Sequence, residues 1–176
     1  MTRFVDLVQM RYSVRAFRPD AVPEEVLARV LEAFRLAPTA ANRQPLRAIV
    51  VATHGRGPEL RRIYDKDWFA EQAPLVIAVC AEPEGAWVRR DGRNYAFVDV
   101  GIAMDHLILA ATEEGLGTCW VGAFDPAAAR EVLQLPPEIE PVVFTPLGYS
   151  ADAPRAKRRK ALADLVFYGT WGQTEA

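Results

Sequence analysis

Residues 96–114 constrain the fold of this chain more than any other stretch. Phe97, Val98, Val100, Ile102, Ala103, Met104, Leu107, Ile108, Leu109, Ala110 and Ala111 point in every direction around a helix, and Gly115 and Gly117 follow as stop signals. Such a helix belongs at the centre of a fold or in a subunit interface. Asp99, Asp105 and His106 interrupt the run, so it does not read as a membrane span. A single domain of 176 residues can cover one side of this helix but hardly all of it. The pattern therefore predicts a second copy over the remainder, an obligate homodimer.

The rest of the chain supplies what would surround that helix. Residues 3–10 read as a short amphipathic helix. A stronger one opens at Pro23, with Glu24 and Glu25 at its positive end, and keeps apolar spacing to about Leu36. Leu46 to Thr53 reads as a strand. Pro74 to Ala81 is a nearly continuous apolar run, as in a strand buried on both faces. Glu59 to Tyr64 and the segment from Pro126 to about Leu133, capped by Asp125, read as helices; Thr118 to Val121 and Ile139 to Leu147 read as strands. Without a clean βαβ repeat, the expected class is α+β, helices on a mostly antiparallel or mixed sheet, in one domain over 1–176.

Several chemistries are set aside. There is no phosphate-loop lysine motif, no dinucleotide glycine fingerprint and no nucleophile elbow. His54 and His106 have no metal-ligand spacing, so no metal is expected, and His106 reads as structural. Cys80 and Cys119 each sit in an apolar run, as buried reduced thiols do. A net charge of −2 argues against general nucleic-acid binding. No leader-like or spanning segment is apparent, and the expectation is a cytoplasmic protein without a membrane partner.

Three polar clusters remain. Arg11-Tyr12-Ser13-Val14-Arg15 places two arginines and a hydroxyl on a short connector, suited to a phosphate or simply to water. Pro38-Thr39-Ala40-Ala41-Asn42-Arg43-Gln44-Pro45 offers paired donors and acceptors, as the edge of a flavin ring requires, but equally makes an Asn-rich turn. Pro154-Arg155-Ala156-Lys157-Arg158-Arg159-Lys160 alone reads as a solvated basic tail or a weak nucleic-acid patch.

Taken in order, these clusters resemble the nitroreductase family of FMN-dependent oxidoreductases. The family's R-x-S-x-R/K is matched by Arg11, Ser13 and Arg15. Its A-P-S-x-x-N-x-Q-P segment is matched from Ala37 to Pro45, with Thr39 for Ser. Its D-x-G-x-A helix leading into G-L-G-x-x-W is matched from Asp99 to Ala103 and from Gly115 to Trp120. Its L-G-Y…K-x-R-x-x-L is matched by Leu147 to Tyr149, Lys157, Arg159 and Leu162.

The resemblance implies a nitroreductase-like fold and an intertwined homodimer whose C-terminal extension reaches the partner subunit. It implies FMN, with the phosphate at Arg11, Ser13, Lys157 and Arg159, and with Tyr12 in the same segment. Arg15 falls where the family places a cation at the flavin N1 and O2 edge. Asn42 and Gln44 match positions touching the ring or ribityl chain, Pro38 and Thr39 positions given to the partner's site. A main-chain N–H of Gly122 or Ala123 matches the one aimed at N5. No side chain is expected to be catalytic, because the flavin does the redox chemistry. NADH or NADPH would be the hydride source, and a nitroaromatic or quinone-like molecule the acceptor, in a ping-pong cycle. A flavin enzyme with a dedicated substrate, such as a dehalogenase or a flavin-modifying enzyme, or a flavin protein without turnover, stays open.

Overall fold

The structure is a computed structural model and describes residues 3–174. In chain order the elements are α1 (Phe4–Met10), α2 (Glu24–Arg35), β1 (Leu46–Ala52), α3 (Gly57–Ile63), β2 (Leu75–Ala81), α4 (Ala96–Glu113), β3 (Gly117–Thr118), α5 (Pro126–Val132) and β4 (Glu140–Gly148). The strands form one four-stranded sheet in the order β1-β2-β4-β3, and every pairing is antiparallel. The expected α+β architecture is present.

β2 lies inside the sheet and is buried on both faces, which explains its unbroken apolar run. Its side chains alternate. Ile77, Val79 and Ala81 face α2 and α4, where Val30, Phe34, Val100, Met104 and Leu107 complete one core layer. Val76, Ala78 and Cys80 face the other way, onto Leu60 and Ile63 of α3, Ala129 of α5, and Phe69. Phe144 of β4 joins this second layer edge-to-face with Phe69 and Phe124. Cys80 is fully buried there, and burial pushes its thiol up to about 11.

α4 is not covered on all sides by its own chain. Ala103, Met104, Leu107 and Ala111 are buried, whereas Phe97 and Val98 stand about half exposed, and Asp105, His106 and Glu113 face outward. His106 is thus a surface residue, its Nδ1 3.0 Å from the Ile102 carbonyl. α1 has no buried residue at all and presents Phe4, Val5 and Met10.

The strand expected over Thr118 to Val121 is split. Gly117 and Thr118 pair with Gly148 and Leu147, and Val121 meets Phe144 in the same register. That register sets Cys119 opposite Pro146, which has no N–H to offer the Cys119 carbonyl. The Thr145 hydroxyl donates to the Pro146 carbonyl at 2.8 Å and accepts the Cys119 N–H at 3.1 Å. A short π-type turn over Trp68–Gln72, invisible to periodicity, places Phe69 and Ala70 in the core.

Candidate functional site

The connector after α1 is extended and stitched to the sheet. Ser13 bridges Thr118, the Val14 N–H donates to the Thr118 carbonyl at 2.9 Å, and Phe17 bridges Ser150. Side chains on extended backbone alternate, so Val14, only 1% exposed, packs inward with Phe17 and Ala73 while Ser13 and Arg15 face the other way. Val14 fits because Gly117 lies beneath it; a Cβ there would stand 2.7 Å from Val14 Cγ2.

The chain returns to this connector after β4. The Ala151 N–H donates to the Ala16 carbonyl at 2.8 Å, and the Arg15 N–H to Asp152 Oδ2 at 2.9 Å. The Tyr12 hydroxyl lies 2.6 Å from Ser150 Oγ and donates to the Asp152 carbonyl at 2.8 Å. The two basic segments thereby face each other across an open pocket of about 290 Å³. Arg11, Tyr12, Ser13 and Arg15 line it from one side, and Lys157 and Arg159 from the other.

Three further charged lining residues were not among the candidates named from the sequence: Asp152, Arg155 and Arg158. Arg155 and Arg158 lay inside a basic run that looked uniformly solvated. The signal for Asp152 would have been its place two residues past Ser150, where it can tie the returning chain to the connector.

The pocket gathers cations that have no carboxylate partner. Arg29, Arg47, Arg61, Arg62 and Arg89 each pair with a carboxylate. Among the described residues, Arg11, Arg15, Arg155, Lys157, Arg158 and Arg159 have no such partner. Lost hydration, and then the charges of Arg11 and Arg159, hold the Lys157 ammonium below its usual range. Unpaired guanidinium groups beside a hydroxyl are the donor set of a phosphate site.

Lys157 also does something else: its Nζ donates to the Val8 and Gln9 carbonyls at 2.8 and 2.5 Å, closing the last turn of α1. The buried Cys119 thiol lies close to Arg15, Ser13 and Arg11 without lining the pocket. Burial raises this thiol above the ordinary range, outweighing the opposite pull of Arg15, the Ser13 hydroxyl and Arg11.

The remaining candidates lie outside this pocket. Thr39 and Gln44 line a second, smaller one of about 230 Å³ with Phe34 and Leu46. Pro38 and Asn42 are exposed in the same loop. Ala41, Asn42 and Gln44 all have left-handed backbone, with φ of 51°, 52° and 53°, at a cost of about 1 kcal/mol or more for each such non-glycine residue. Gly122 and Ala123 are exposed between two fixed points: Val121, bonded both ways to Phe144, and Asp125, whose N–H donates to the Ile63 carbonyl. Neither the Gly122 nor the Ala123 N–H has an acceptor among the described residues. No cluster of three or more His, Cys, Asp and Glu side chains among the described residues is arranged to hold a metal. No helix among them is long and apolar enough to cross a membrane.

Comparison with known proteins agrees with this architecture. The model of the nitroreductase family matches residues 8–72 and 64–149. The crystal structure of a nitroreductase family protein from Clostridium difficile 630 superposes with a TM-score of 0.87 at 36% identity, covering 96% of this chain and 99% of that one. The 5,6-dimethylbenzimidazole synthase of Rhodospirillum rubrum is 31% identical over 81% of this chain and 80% of its own length. The FMN reductase [NAD(P)H] of Bacillus subtilis is 27% identical over 84% of this chain and 66% of its own length.

Proposed function

The chain belongs to the nitroreductase family of oxidoreductases, and on that premise we propose that it binds FMN and passes a hydride from NADH or NADPH to a small nitroaromatic or quinone-like acceptor. The observation that carries this reading is the pocket of unpaired cations built from both ends of the chain. Arg11, Ser13 and Arg159 hold the phosphate, and Lys157 adds its charge while it braces α1. Arg15 stands at the N1 and O2 edge of the flavin, where a cation stabilises negative charge. Asn42 and Gln44 present amides to the ring or ribityl chain, Pro38 and Thr39 serve the partner's site, and the free N–H of Gly122 or Ala123 faces N5. When bound, the flavin supplies the redox chemistry, accepting a hydride in one half-reaction and giving one up in the other. The chain's own groups bind, orient and set the electrostatics.

In this reading the protein is a cytoplasmic homodimer of single domains, each with a C-terminal extension laid over its partner. Purified protein is expected to be yellow and to release FMN, not FAD. NADH or NADPH should bleach it without oxygen, and a quinone or nitroaromatic should restore the colour. Colourless protein that gains no flavin absorbance on titration with FMN sinks the proposal. A second reading, a dedicated-substrate flavin enzyme, is favoured by the likeness to a dimethylbenzimidazole synthase. It predicts bleaching with slow return to all common acceptors.

The phosphate assignment has its own test. Arg11→Ala and Arg159→Ala should each weaken FMN binding roughly tenfold to hundredfold, the loss of about 1.5–3 kcal/mol for a charge-assisted contact. Arg155 lines the same pocket but lies outside the matched motif, and Arg155→Ala should cost less. Fluorescence titration decides; equal losses at Arg155 and Arg159 overturn the ranking.

A further inference from the structure

The loop from Thr39 to Gln44 is held in a conformation its residues do not prefer, with three non-glycine residues in the left-handed region. Most of its polar contacts are internal. The Asn42 N–H donates to the Thr39 carbonyl at 3.0 Å, the Arg43 N–H to the Ala40 carbonyl at 3.1 Å and the Gln44 N–H to Thr39 Oγ1 at 3.0 Å, and the Gln44 amide reaches back to Asn42 Oδ1 at 3.2 Å. One contact leaves the loop for the core: the Ala40 N–H donates to Asp99 Oδ1 at 2.8 Å.

Asp99 is an expensive residue for that task. It sits in the first turn of α4, only 1% exposed, and its Oδ2 has no hydrogen-bond partner among the described residues. Burying a carboxylate with half its acceptors unused is unfavourable, even with the positive end of a helix beside it. If the start of α4 needed only to be filled, an apolar side chain of similar size would do so without that penalty. A charged acceptor makes a stronger bond to a backbone N–H than a neutral one. Here that bond meets a segment that would otherwise relax away from its strained backbone.

We propose that Asp99 is a positioning residue that fixes the left-handed loop, so that the exposed amides of Asn42 and Gln44 meet the flavin in one orientation. The identity of what those amides meet rests on the FMN reading above. The anchor itself does not, and the two can fail separately.

The test uses the full-length protein and three variants. Asp99→Ala removes the acceptor. Asp99→Asn keeps an oxygen for the Ala40 N–H. Ala40→Pro removes the donor instead, and Thr39 already has the extended backbone, φ −131° and ψ 155°, that a residue before proline requires. Leu60→Ala, from the opposite core layer, is the control for general loss of stability. Hydrogen exchange of the Asn42 and Gln44 amides in flavin-free protein should quicken about tenfold in Asp99→Ala and Ala40→Pro, relative to wild type and to Leu60→Ala, and stay within about threefold in Asp99→Asn. Unchanged exchange in Ala40→Pro overturns the anchor even if Asp99→Ala fails to fold. With FMN added, Asp99→Ala should bind about tenfold more weakly and alter the visible circular dichroism of the flavin, while Leu60→Ala keeps the wild-type spectrum. Wild-type affinity and spectrum in a loosened Asp99→Ala loop overturn the positioning role. Wild-type protein that binds no FMN overturns the cofactor reading instead, with exchange still deciding the anchor.

Discussion

A chain ending at Arg159 is expected to be monomeric at micromolar concentration and to lose most of its bound FMN. The segment removed begins immediately after the basic pocket. It contains Leu162, Leu165, Tyr168 and Trp171, which stand 73%, 59%, 47% and 92% exposed on the single chain. Apolar side chains of this size do not remain in water along a tail without a surface to cover. In the proposed homodimer, Phe97 and Val98 of α4 and the outward face of α1 would offer the matching bare area on a second copy. Exchanged tails over such faces make interfaces of several thousand Å² in obligate dimers. Losing them exposes both surfaces at once and frees the end of the basic segment that closes the pocket. Sedimentation velocity and the ratio of flavin to protein absorbance decide the matter. A folded, flavin-loaded dimer from the shortened chain would show that the tail serves neither purpose.

Gly117→Ala should lower FMN affinity at least tenfold although Gly117 is no candidate ligand. The added Cβ would lie 2.7 Å from Val14 Cγ2 and 3.0 Å from two more carbons of the same side chain. Val14 is buried and branched, so it cannot swing aside. The connector must lift instead, and Arg11, Ser13 and Arg15 move with it. Overpacking of this kind costs about 1–3 kcal/mol of stability as well. The double variant with Val14→Ala reopens the space and should recover much of the affinity at the expense of a small cavity. If the single variant binds FMN like wild type, connector and sheet are less tightly coupled than their contacts imply.

Much of this fold was legible because its elements are locally consistent. The run from Pro74 to Ala81 fits a strand buried on both faces, and residues 96–114 a helix at the centre of the fold or in an interface. Asp125 and Pro126 marked the start of α5, and the Asp125 carboxylate accepts the Ala127 and Ala128 N–H groups. The break at Cys119 was not legible, because it is imposed by Pro146 across the sheet and not by any neighbour in sequence. For the same reason periodicity could not find the turn at Trp68, which is held by packing against Tyr64 and Phe69. At the pocket, the arginines could be named from their motif positions, but the ties that bring them together, Tyr12 to Ser150 and Asp152, span 138 and 140 residues. Nor could spacing reveal that Lys157 closes a helix 149 residues away.

The unpaired cations of the pocket have a consequence for the life of the chain before any cofactor arrives. Folding gathers Arg11, Arg15, Arg155, Lys157, Arg158 and Arg159 around one small volume with Asp152 as the only acid among the lining residues, so folding brings like charges together at some cost in stability. A dianion bound there removes that repulsion and adds stability by mass action, about 2.7 kcal/mol at a free concentration one hundred times the dissociation constant. On the proposed FMN reading, resistance to proteolysis is expected to rise with free FMN, which limited proteolysis across a range of FMN concentrations checks.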